Sequence, residues 1–522
     1  MDAVKLTIDG KEVTTTKGTT VIQAAAEAGI TIPHYCYHPK LTIAGNCRMC
    51  LVEIEKMPKL QIACNTQASE GMAVETQSPK VLAARKAVME FLLINHPLDC
   101  PICDQAGECW LQDYYMQHDL QASRFAEGKQ HERKREVFGP HVVFDGERCI
   151  KCTRCVRFLQ EVTRTDELTV VDRGDHSTIA LFPGTVLDNP LSANINDICP
   201  VGALTDRDFR FRVRVWYLQK TPSICPGCST GCNISVESYQ NRIARFKPRI
   251  NEEVNSHWIC DEGRYCFYAL TDVERITAPL IRQEGGLVPT DWKTALGAVI
   301  SVLSGAQPVC GVLSGRNTNE EAFLFAKLLR RLSPQARLEV YYRERKLTEV
   351  EKILKSPDRS PNFRGARDMG VSDDGFEPLL SDLLDGKFRS AYFVGEDLLR
   401  EVAQGEKVRQ ALKKLSFLVV QDTHLSETAK LAHVVLPAVN FAEKEGTYTN
   451  RKGRIQRLRP ALVPPAGARQ DLEIFSLLLA RVGEPIRRAT PGEIFLEIAR
   501  EVPRYRGLTY ESIGNLGVQI ES

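Results

Sequence analysis

The chain has 522 residues, of which 43% are hydrophobic and 26% charged, and its formal net charge is +2 at neutral pH. This length allows several domains with separate hydrophobic cores, and the balanced charge gives no indication of a nucleic-acid or lipid-surface partner. No run approaches 18 apolar residues, so the sequence predicts no transmembrane helix. The polar start, MDAVKLTIDGKEV, has no apolar core of a secretory signal.

Cysteine is the most informative residue type. The chain has 17 cysteines, and all but Cys310 lie between Cys36 and Cys266. A disulfide-stapled scaffold is typically short and exported, and neither property fits this sequence. We therefore expect reduced thiolates that bind metal.

Residues 1–78 are predicted to form a small β-grasp domain. Residues 4–15 alternate in polarity around Asp9-Gly10, which is a hairpin turn signal, and TTVIQAAAEAG predicts a short helix capped by Gly29. The first ligand set follows in a loop and consists of Cys36, Cys47, Cys50 and Cys64. Its C-x2-C core in a β-grasp pattern is similar to plant-type [2Fe–2S] ferredoxins. A structural zinc site with four thiolates is the alternative.

Residues 79–118 are predicted to carry a second ligand set after a helix over KVLAARKAVMEFLLINH, which Pro97 stops. The set consists of His96, Cys100, Cys103 and Cys109. Three thiolates and one imidazole suit zinc as well as iron, and His96 could instead be a helix-end residue that interacts with the helix dipole. As a cluster ligand, a neutral imidazole would remove one negative charge and raise the reduction potential, as in Rieske centres.

Residues 114–140 are polar and predict a connector, and a compact domain is expected over residues 140–215. That domain carries the third ligand set, Cys149, Cys152, Cys155 and Cys199. The run CIKCTRC with a remote Cys-Pro is the bacterial [4Fe–4S] signature. Cysteines packed this tightly serve a single zinc ion poorly. Only one such run exists, so Cys199 is predicted to close the same cluster.

Residues 218–274 carry the fourth ligand set, Cys225, Cys228, Cys232 and Cys260. Three close thiolates and a returning fourth again favour [4Fe–4S]. Cys266 and Cys310 are left over and are expected to be small buried hydrophobes. The sequence thus predicts one [2Fe–2S] and three [4Fe–4S] clusters, with iron as the only metal. Clusters in a row form a conductor whose potentials the protein tunes, so no catalytic residue is expected.

Residues 275–522 predict an α/β domain with a parallel sheet, so the chain as a whole is a multidomain protein of α+β and α/β parts. Helical stretches such as EEAFLFAKLLRRL alternate with β-rich runs such as FLVVQD and HVVLPAV. Residues 356–376 are predicted to form a long surface loop. No G-x-G-x-x-G follows a strand and no P-loop is present, so the motifs predict no nucleotide site.

The motifs HYCYHPKLTIAGNCRMCLVE, NHPLDCPICDQAGECWLQD and CIKCTRCVRF resemble those of the G-subunit family of bacterial respiratory NADH–quinone oxidoreductase (complex I), equivalent to the mitochondrial 75 kDa subunit. The resemblance is dense over residues 1–270 and looser to about residue 480. It implies that His96 binds a [4Fe–4S] cluster with the three cysteines of the second set. It also implies an electron-transfer subunit of an NADH:quinone oxidoreductase, with proton translocation by the whole complex and no independent active site on this chain.

The implied partners are other peripheral-arm subunits: the NADH/FMN-binding subunit, which would hold FMN, a 2Fe–2S subunit, and ferredoxin-like and quinone-site subunits. The implied location is the cytoplasmic side of the bacterial inner membrane, peripheral through the complex. The fourth set occurs only in some bacterial members of the family, where it is thought to lie off the main electron route.

The C-terminal half resembles molybdopterin oxidoreductases such as formate dehydrogenase in SGRNTNEEAFLFAKLLRRL and TAKLAHVVLPAVNFAEKEGTYTNRKGRIQ. The alternative function is therefore the catalytic subunit of an NAD-dependent formate dehydrogenase. Two departures count against it: Tyr341 and Tyr342 lie where such enzymes have a metal-binding cysteine, and Glu262 replaces a lysine in CDEGR. We also expect the chain to lack most of the C-terminal cap of those enzymes. We expect a degenerate, truncated molybdopterin-oxidoreductase-like domain without molybdenum.

Overall fold

The computed structural model describes residues 2–304, 307–402, 404–484 and 490–521. The chain divides into two compact units, Met1–Leu218 and Gln219–Ser522. Across the described part of the chain, no helix is long and apolar enough to cross a membrane.

The first unit contains ten strands and five α-helices among its described residues. The strands are β1 Ala3–Ile8, β2 Lys11–Thr16, β3 Leu51–Ile54, β4 Gln61–Ile62, β5 Met72–Glu75, β6 Glu136–Val137, β7 Val142–Phe144, β8 Leu168–Val171, β9 Thr178–Leu181 and β10 Leu204–Asp206. The helices are α1 Val21–Glu27, α2 Pro79–Leu93, α3 Trp110–His118, α4 Arg154–Phe158 and α5 Asn194–Ile198.

The N-terminal part of this unit is a five-stranded sheet in the order β2-β1-β5-β3-β4, with β1 parallel to β5. The predicted hairpin is confirmed: Asp9 and Gly10 both have positive φ, 48° and 77°, and Ile8 pairs with Lys11, as a tight two-residue turn requires. Helix α1 buries Val21 and Ile22 against the sheet. The helix ends at Glu27, and Gly29, the predicted cap, follows it with a φ of 77°.

Two predicted boundaries in the first unit are wrong. Helix α2 ends at Leu93, so His96 lies beyond the helix and is not its terminal residue. The connector predicted over residues 114–140 begins inside helix α3, which continues to His118, and it contains strand β6.

The rest of the first unit combines the sheet β10-β7-β6 with the hairpin β8–β9. Helix α4 continues directly into a turn of π-helix over Leu159–Thr163. The residues that precede α4 form the loop of the third ligand set, where Lys151 and Thr153 both adopt left-handed backbone conformations.

The second unit contains thirteen strands and twelve α-helices among its described residues. The strands are β11 Gln219–Ile224, β12 Asn233–Tyr239, β13 Arg242–Pro248, β14 Leu280–Gln283, β15 Gly286–Pro289, β16 Val309–Ser314, β17 Arg337–Tyr341, β18 Ser390–Val394, β19 Phe417–Asp422, β20 Val434–Pro437, β21 Gly446–Thr449, β22 Arg454–Leu458 and β23 Val518–Gln519. The helices are α6 Asp261–Tyr265, α7 Phe267–Thr271, α8 Trp292–Leu303, α9 Asn319–Leu332, α10 Glu349–Lys352, α11 Phe363–Asp368, α12 Phe376–Leu384, α13 Leu398–Glu401, α14 Gly405–Lys413, α15 Asp471–Arg481, α16 Pro491–Glu501 and α17 Tyr510–Ile513.

The centre of the second unit is a seven-stranded sheet in the order β15-β14-β20-β19-β18-β16-β17. Strands β16 to β20 are parallel to one another, and β14 pairs antiparallel with β20, with β15 as the edge strand beyond it. Every residue of β16, β18, β19 and β20 is buried, which is expected when helices cover both faces. The predicted α/β domain with a parallel sheet is confirmed.

The surface loop predicted over residues 356–376 is wrong. Helix α11 lies inside this segment, and Asn362 is fully buried. The Asn362 side chain donates to the carbonyl oxygen of Asn317 and accepts from the amide of Thr449, at 2.8 and 2.7 Å. The Asn362 side chain is therefore an internal hydrogen-bond partner that joins distant segments of the chain.

Candidate functional site

Two members of the first ligand set, Cys50 and Cys64, belong to the hydrophobic core that helix α1 and strand β3 share. Cys36, Cys50 and Cys64 are buried and Cys47 is half-buried. The thiols form hydrogen-bonded pairs, Cys36 with Cys47 and Cys50 with Cys64, and Cys36 also interacts electrostatically with Cys64. The hydrogen bond from the Cys47 thiol lowers the pKa of Cys36 to about 5, and that from Cys50 lowers the pKa of Cys64. The structure therefore brings all four predicted ligands together.

The third ligand set surrounds one small cavity. Cys149, Cys152, Cys155 and Cys199 line it together with apolar side chains such as Phe144, Ile179 and Leu204. Burial raises the pKa of Cys149 and of Cys199 to about 12. Four thiols that face an apolar cavity resist ionisation until a positively charged group binds them.

The second ligand set is brought together in part. Cys100, Cys103 and Cys109 interact electrostatically with one another. A Cβ atom on Gly202 would clash with Cys103 Sγ, so the chain after Cys199 passes directly over this sulfur.

His96 lies in a cleft with Asn95, Lys151 and Cys149. Burial, followed by the positive charges of Lys129 and Arg148, lowers its pKa to about 4. The imidazole is therefore neutral, which is the form that binds metal. The role of His96 as the fourth ligand of the second set stays a prediction.

The fourth ligand set lies in the second unit. Cys225, Cys228, Cys232 and Cys260 line one cavity. The backbone at Gly263 lies close to two of these sulfurs, because a Cβ atom there would be 3.1 Å from both Cys225 Sγ and Cys260 Sγ. A hydrogen bond with Cys266, followed by burial, raises the pKa of Cys225, and burial raises the pKa of Cys260.

The two leftover cysteines differ from each other. Cys310 is fully buried in strand β16, as predicted, and burial raises its pKa to about 12. Cys266 was predicted to be a buried hydrophobe as well, but it is half-buried and its Sγ donates to the carbonyl oxygen of Gly263 at 3.2 Å. It is a fifth thiol beside the fourth set, which its position in the sequence did not reveal.

A group of charged side chains beside the fourth set was not found from the sequence. Glu262 lines the same cavity and binds the guanidinium groups of Arg345 and Arg359, at 2.8 and 3.1 Å. It also binds the ammonium of Lys355, which lines the cavity too and is only 5% exposed. Lys355 also interacts electrostatically with Cys260. The partners of Glu262 are more than 80 residues away in the chain, so no local pattern could have indicated them.

The three ligand sets of the first unit are contiguous. Arg157 Nη2 donates to the carbonyl oxygens of Cys36 and Cys152, at 2.6 and 3.2 Å, and so joins the first set to the third. The amide of Trp110, which follows Cys109, donates to the carbonyl oxygen of Pro200, which follows Cys199, at 3.0 Å. This bond joins the second set to the third. No sequence motif indicated either contact.

The donor chemistry of these sets fits iron–sulfur clusters. Thiolates are the soft ligands that such clusters take, and the apolar cavity of the third set suits a compact cluster. The residues would supply the cluster ligands, and the bound clusters would supply one-electron redox chemistry.

Five family models match the chain in sequence. They are described as a 2Fe-2S iron-sulfur cluster binding domain (residues 1–79), an NADH-ubiquinone oxidoreductase-G iron-sulfur binding region (85–124), an NADH-quinone oxidoreductase subunit 3 ferredoxin-like domain (139–205), a molybdopterin oxidoreductase Fe4S4 domain (218–271) and a molybdopterin oxidoreductase (360–481). The order of iron–sulfur and molybdopterin-type domains predicted from the sequence is confirmed.

Among curated proteins, the chain is 42% identical to the G subunit of NADH-quinone oxidoreductase from Rickettsia conorii, over 63% of this chain and 49% of that protein. It is 33% identical to the mitochondrial NADH-ubiquinone oxidoreductase 78 kDa subunit of Neurospora crassa, over 92% of this chain and 81% of that one. It is 30% identical to the NADH-ubiquinone oxidoreductase 75 kDa subunit of Reclinomonas americana, over 95% and 90%.

Among solved structures, a chain of an NAD+-reducing [NiFe]-hydrogenase in the H2-reduced state matches with 32% identity and a TM-score of 0.37, over 41% of this chain and 91% of that chain. The chain spans about half of the length of the Rickettsia relatives that it matches. Its similarity to the 78 and 75 kDa subunits covers nearly all of it. The chain belongs to the family that comprises the G subunit of NADH-quinone oxidoreductase and the 75 and 78 kDa subunits of NADH-ubiquinone oxidoreductase.

Proposed function

We propose that the chain is the iron–sulfur electron carrier of an NADH–quinone oxidoreductase, with one [2Fe–2S] and three [4Fe–4S] clusters. The first set would hold the [2Fe–2S] cluster in residues 1–78. The [4Fe–4S] clusters would be held by the second set in 79–118, the third in 140–215 and the fourth in 218–274, with residues 275–522 as the molybdopterin-oxidoreductase-like domain. The names of the relatives and the matched iron–sulfur families support this proposal.

The observation that carries the proposal is the contact of the third set with both other sets of the first unit. Arg157 links it to the first set and the Trp110–Pro200 hydrogen bond links it to the second. A conductor needs neighbouring clusters, and the third set is the one between the other two. Electrons would therefore pass from the first set through the third to the second.

The wider assignment follows the family. Electrons would come from the NADH/FMN-binding subunit, directly or through a 2Fe–2S subunit, and leave through ferredoxin-like and quinone-site subunits. The whole complex would couple this transfer to proton translocation, with the chain on the cytoplasmic side of the bacterial inner membrane. Formate dehydrogenase is the weaker alternative. Those enzymes have a lysine at the position of Glu262, and here the Glu262 carboxylate binds Arg345 and Arg359 instead.

The test is a cysteine-to-serine series in the assembled complex. Cys155→Ser should abolish NADH-dependent quinone reduction and leave assembly intact, because it removes a ligand of the central cluster. Cys310→Ser is the matched control, since Cys310 is also buried but lies in none of the four sets. Full quinone reductase activity in the Cys155 variant would refute the proposed route. Formate-dependent reduction of NAD+ would favour the alternative.

A further inference from the structure

A buried arginine extends from the third ligand set towards the second. Arg148 ends a short 3-10 turn over Gly146–Arg148, directly before Cys149 of the third set, and only 4% of its surface is exposed. Its Nε and Nη2 donate to Oδ2 of Asp99, at 3.1 and 2.8 Å. Asp99 directly precedes Cys100 of the second set. The backbone of Arg148 therefore belongs to one set and its side chain is bound at the other.

The carboxylate that binds Arg148 lies in the turn that carries Cys103. The amides of Ile102 and Cys103 both donate to the carbonyl oxygen of Asp99, at 2.8 and 2.7 Å. A guanidinium bound to the Asp99 side chain is therefore held beside this turn. The electrostatic interaction of Arg148 with the Cys103 thiol agrees with that placement.

The chain after Cys199 closes over the same place. A Cβ atom on Gly202 would clash with Cys103 Sγ and would lie 3.7 Å from Arg148 Cδ. The backbone at Gly202 thus packs on both side chains. Arg148 also interacts electrostatically with His96, so its charge acts on two predicted ligands of the second set.

One nitrogen of this guanidinium is unpaired. Arg148 Nη1 is buried and has no hydrogen-bond partner in the part of the chain that the structure describes. The guanidinium is a planar fork, and Asp99 occupies the edge that carries Nε and Nη2. Nη1 therefore lies on the side away from that carboxylate. A buried donor without an acceptor costs free energy, so this nitrogen requires an acceptor that the described side chains do not supply.

The sulfurs of an iron–sulfur cluster are suitable acceptors. Hydrogen bonds to the sulfurs of such centres are one of the factors that set their reduction potentials, and a charged donor makes a stronger bond than a neutral one. A purely structural ion pair with Asp99 would use only Nε and Nη2 and would leave Nη1 unpaired. The unpaired nitrogen beside Cys103 therefore favours a contact with the cluster.

We propose that Arg148 is a further residue of the second cluster site, and that its Nη1 donates a hydrogen bond to a cluster sulfur, either the Cys103 thiolate or an adjacent inorganic sulfide. This inference rests on the proposed function, because it needs a cluster in the second set. It adds a donor that belongs to none of the four ligand sets. Such a bond stabilises the more negative, reduced cluster and so raises its potential.

The test uses the full chain, purified anaerobically with its clusters and labelled with 15N in arginine only. In pulsed EPR of the reduced chain, the signal of the second cluster, identified by its loss in Cys109→Ala, should show a 15N coupling. Arg148→Lys should keep the cluster and remove the coupling, because a lysine can retain the ion pair with Asp99 but carries no labelled nitrogen. An arginine with a structural role alone would give no coupling in the parent chain.

Potentiometry of the same samples is the second measurement. Arg148→Lys should make the second cluster at least tenfold harder to reduce, which is about 59 mV for a one-electron couple. Lys134→Met is the matched control, since the Lys134 ammonium binds the same Asp99 oxygen at 3.0 Å. It removes a positive charge from Asp99 and leaves Arg148 Nη1 in place. This control should keep the 15N coupling and change the reduction equilibrium less than threefold.

The proposal is overturned if the second cluster shows no 15N coupling, if the coupling survives in Arg148→Lys, or if Lys134→Met shifts the potential as much as Arg148→Lys does. Failure of the proposed electron-transfer function would look different. The parent chain would then contain no iron and would give no cluster signal at all.

Discussion

The guanidinium of Arg157 lies 2.6 Å from the carbonyl oxygen of Cys36 and donates a hydrogen bond to it, although the two residues are 121 positions apart in the chain. The same nitrogen donates to the carbonyl oxygen of Cys152, and the other terminal nitrogen donates to that of Thr42. Arg157 is buried. The positively charged Arg157 side chain thus lies between the backbones of the first and third ligand sets, and its hydrogen bonds hold these two sets at a fixed separation.

Replacing Arg157 by methionine should destabilise the first unit and lower the potentials of both adjoining clusters. At least two buried carbonyl oxygens would lose their donors, at about 1–3 kcal/mol each, and a positive charge that favours the reduced clusters would be lost. Potentiometric EPR and urea unfolding measure the two effects. Arg157→Lys should restore most of the potential but not the stability, because an ammonium cannot reach all three carbonyls.

Arg164→Met is the control for the Arg157 variants, since Arg164 lies just beyond the same helix and is exposed. It should change neither potential nor stability. Equal potential shifts in the Arg157 and Arg164 methionine variants would show that the bridge has no electrostatic role.

Replacing His96 by cysteine should keep the second cluster and lower its potential. A thiolate adds a negative charge to the cluster, and the difference between Rieske and plant-type centres suggests a shift on the order of 100 mV. Potentiometric EPR of the dithionite-reduced chain measures it. His118→Cys, at the end of helix α3, is the control and should leave the potential unchanged. An unchanged potential in the His96 variant would remove His96 from the ligand set.

Replacing Lys355 by methionine should lower the potential of the fourth cluster. Lys355 interacts electrostatically with Cys260, and although burial acts to lower its pKa, hydrogen bonds to Glu262 and Glu351 raise it. The lost charge is worth on the order of 100 mV at an effective dielectric constant of about 20. Lys352→Met, on the exposed side of helix α10, is the matched control. A shift in the control as large as in the Lys355 variant would contradict this assignment.

The stability of the second unit should fall as the pH rises from about 4.5 to about 7, in part because of Glu320. This carboxyl is fully buried and accepts from the Thr447 amide and the Tyr510 hydroxyl, both at 2.9 Å. Burial raises its pKa from 4.5 to about 7. The folded state therefore favours the protonated carboxyl. Its contribution to the free energy of unfolding is complete below the pKa of Glu320 in the unfolded chain, and it is lost as the pH rises through the pKa of Glu320 in the folded chain.

Glu320→Gln should remove this pH dependence. At pH 8 it should raise the free energy of unfolding by about 3 kcal/mol relative to the parent chain, because one pKa unit corresponds to about 1.4 kcal/mol. Urea unfolding of the second unit at pH 4, 6 and 8 measures it. Glu284→Gln, in an exposed turn between β14 and β15, should leave the pH profile unchanged. A Glu320 variant that keeps the parent slope would locate the titration elsewhere.

What could be predicted from the sequence depended on how far apart in the chain the interacting residues lie. The Asp9-Gly10 turn and the loops of closely spaced cysteines were predictable, because each is decided within a few residues. Arg157 and Lys355 were not, because their partners are distant in the chain and an arginine or lysine alone carries no pattern. The segment around Asn362 was predicted as a loop for the same reason: its polar side chains have partners that only the folded chain brings near.

The central claim is that four sets of thiolates, one completed by an imidazole, hold iron–sulfur clusters. The most direct measurement is metal and sulfide analysis of the full chain purified under argon, together with EPR of the reduced sample. We expect about 14 iron atoms per chain, the content of one [2Fe–2S] and three [4Fe–4S] clusters, with separable EPR signals and no molybdenum. A colourless chain that contains zinc and no iron would contradict the claim.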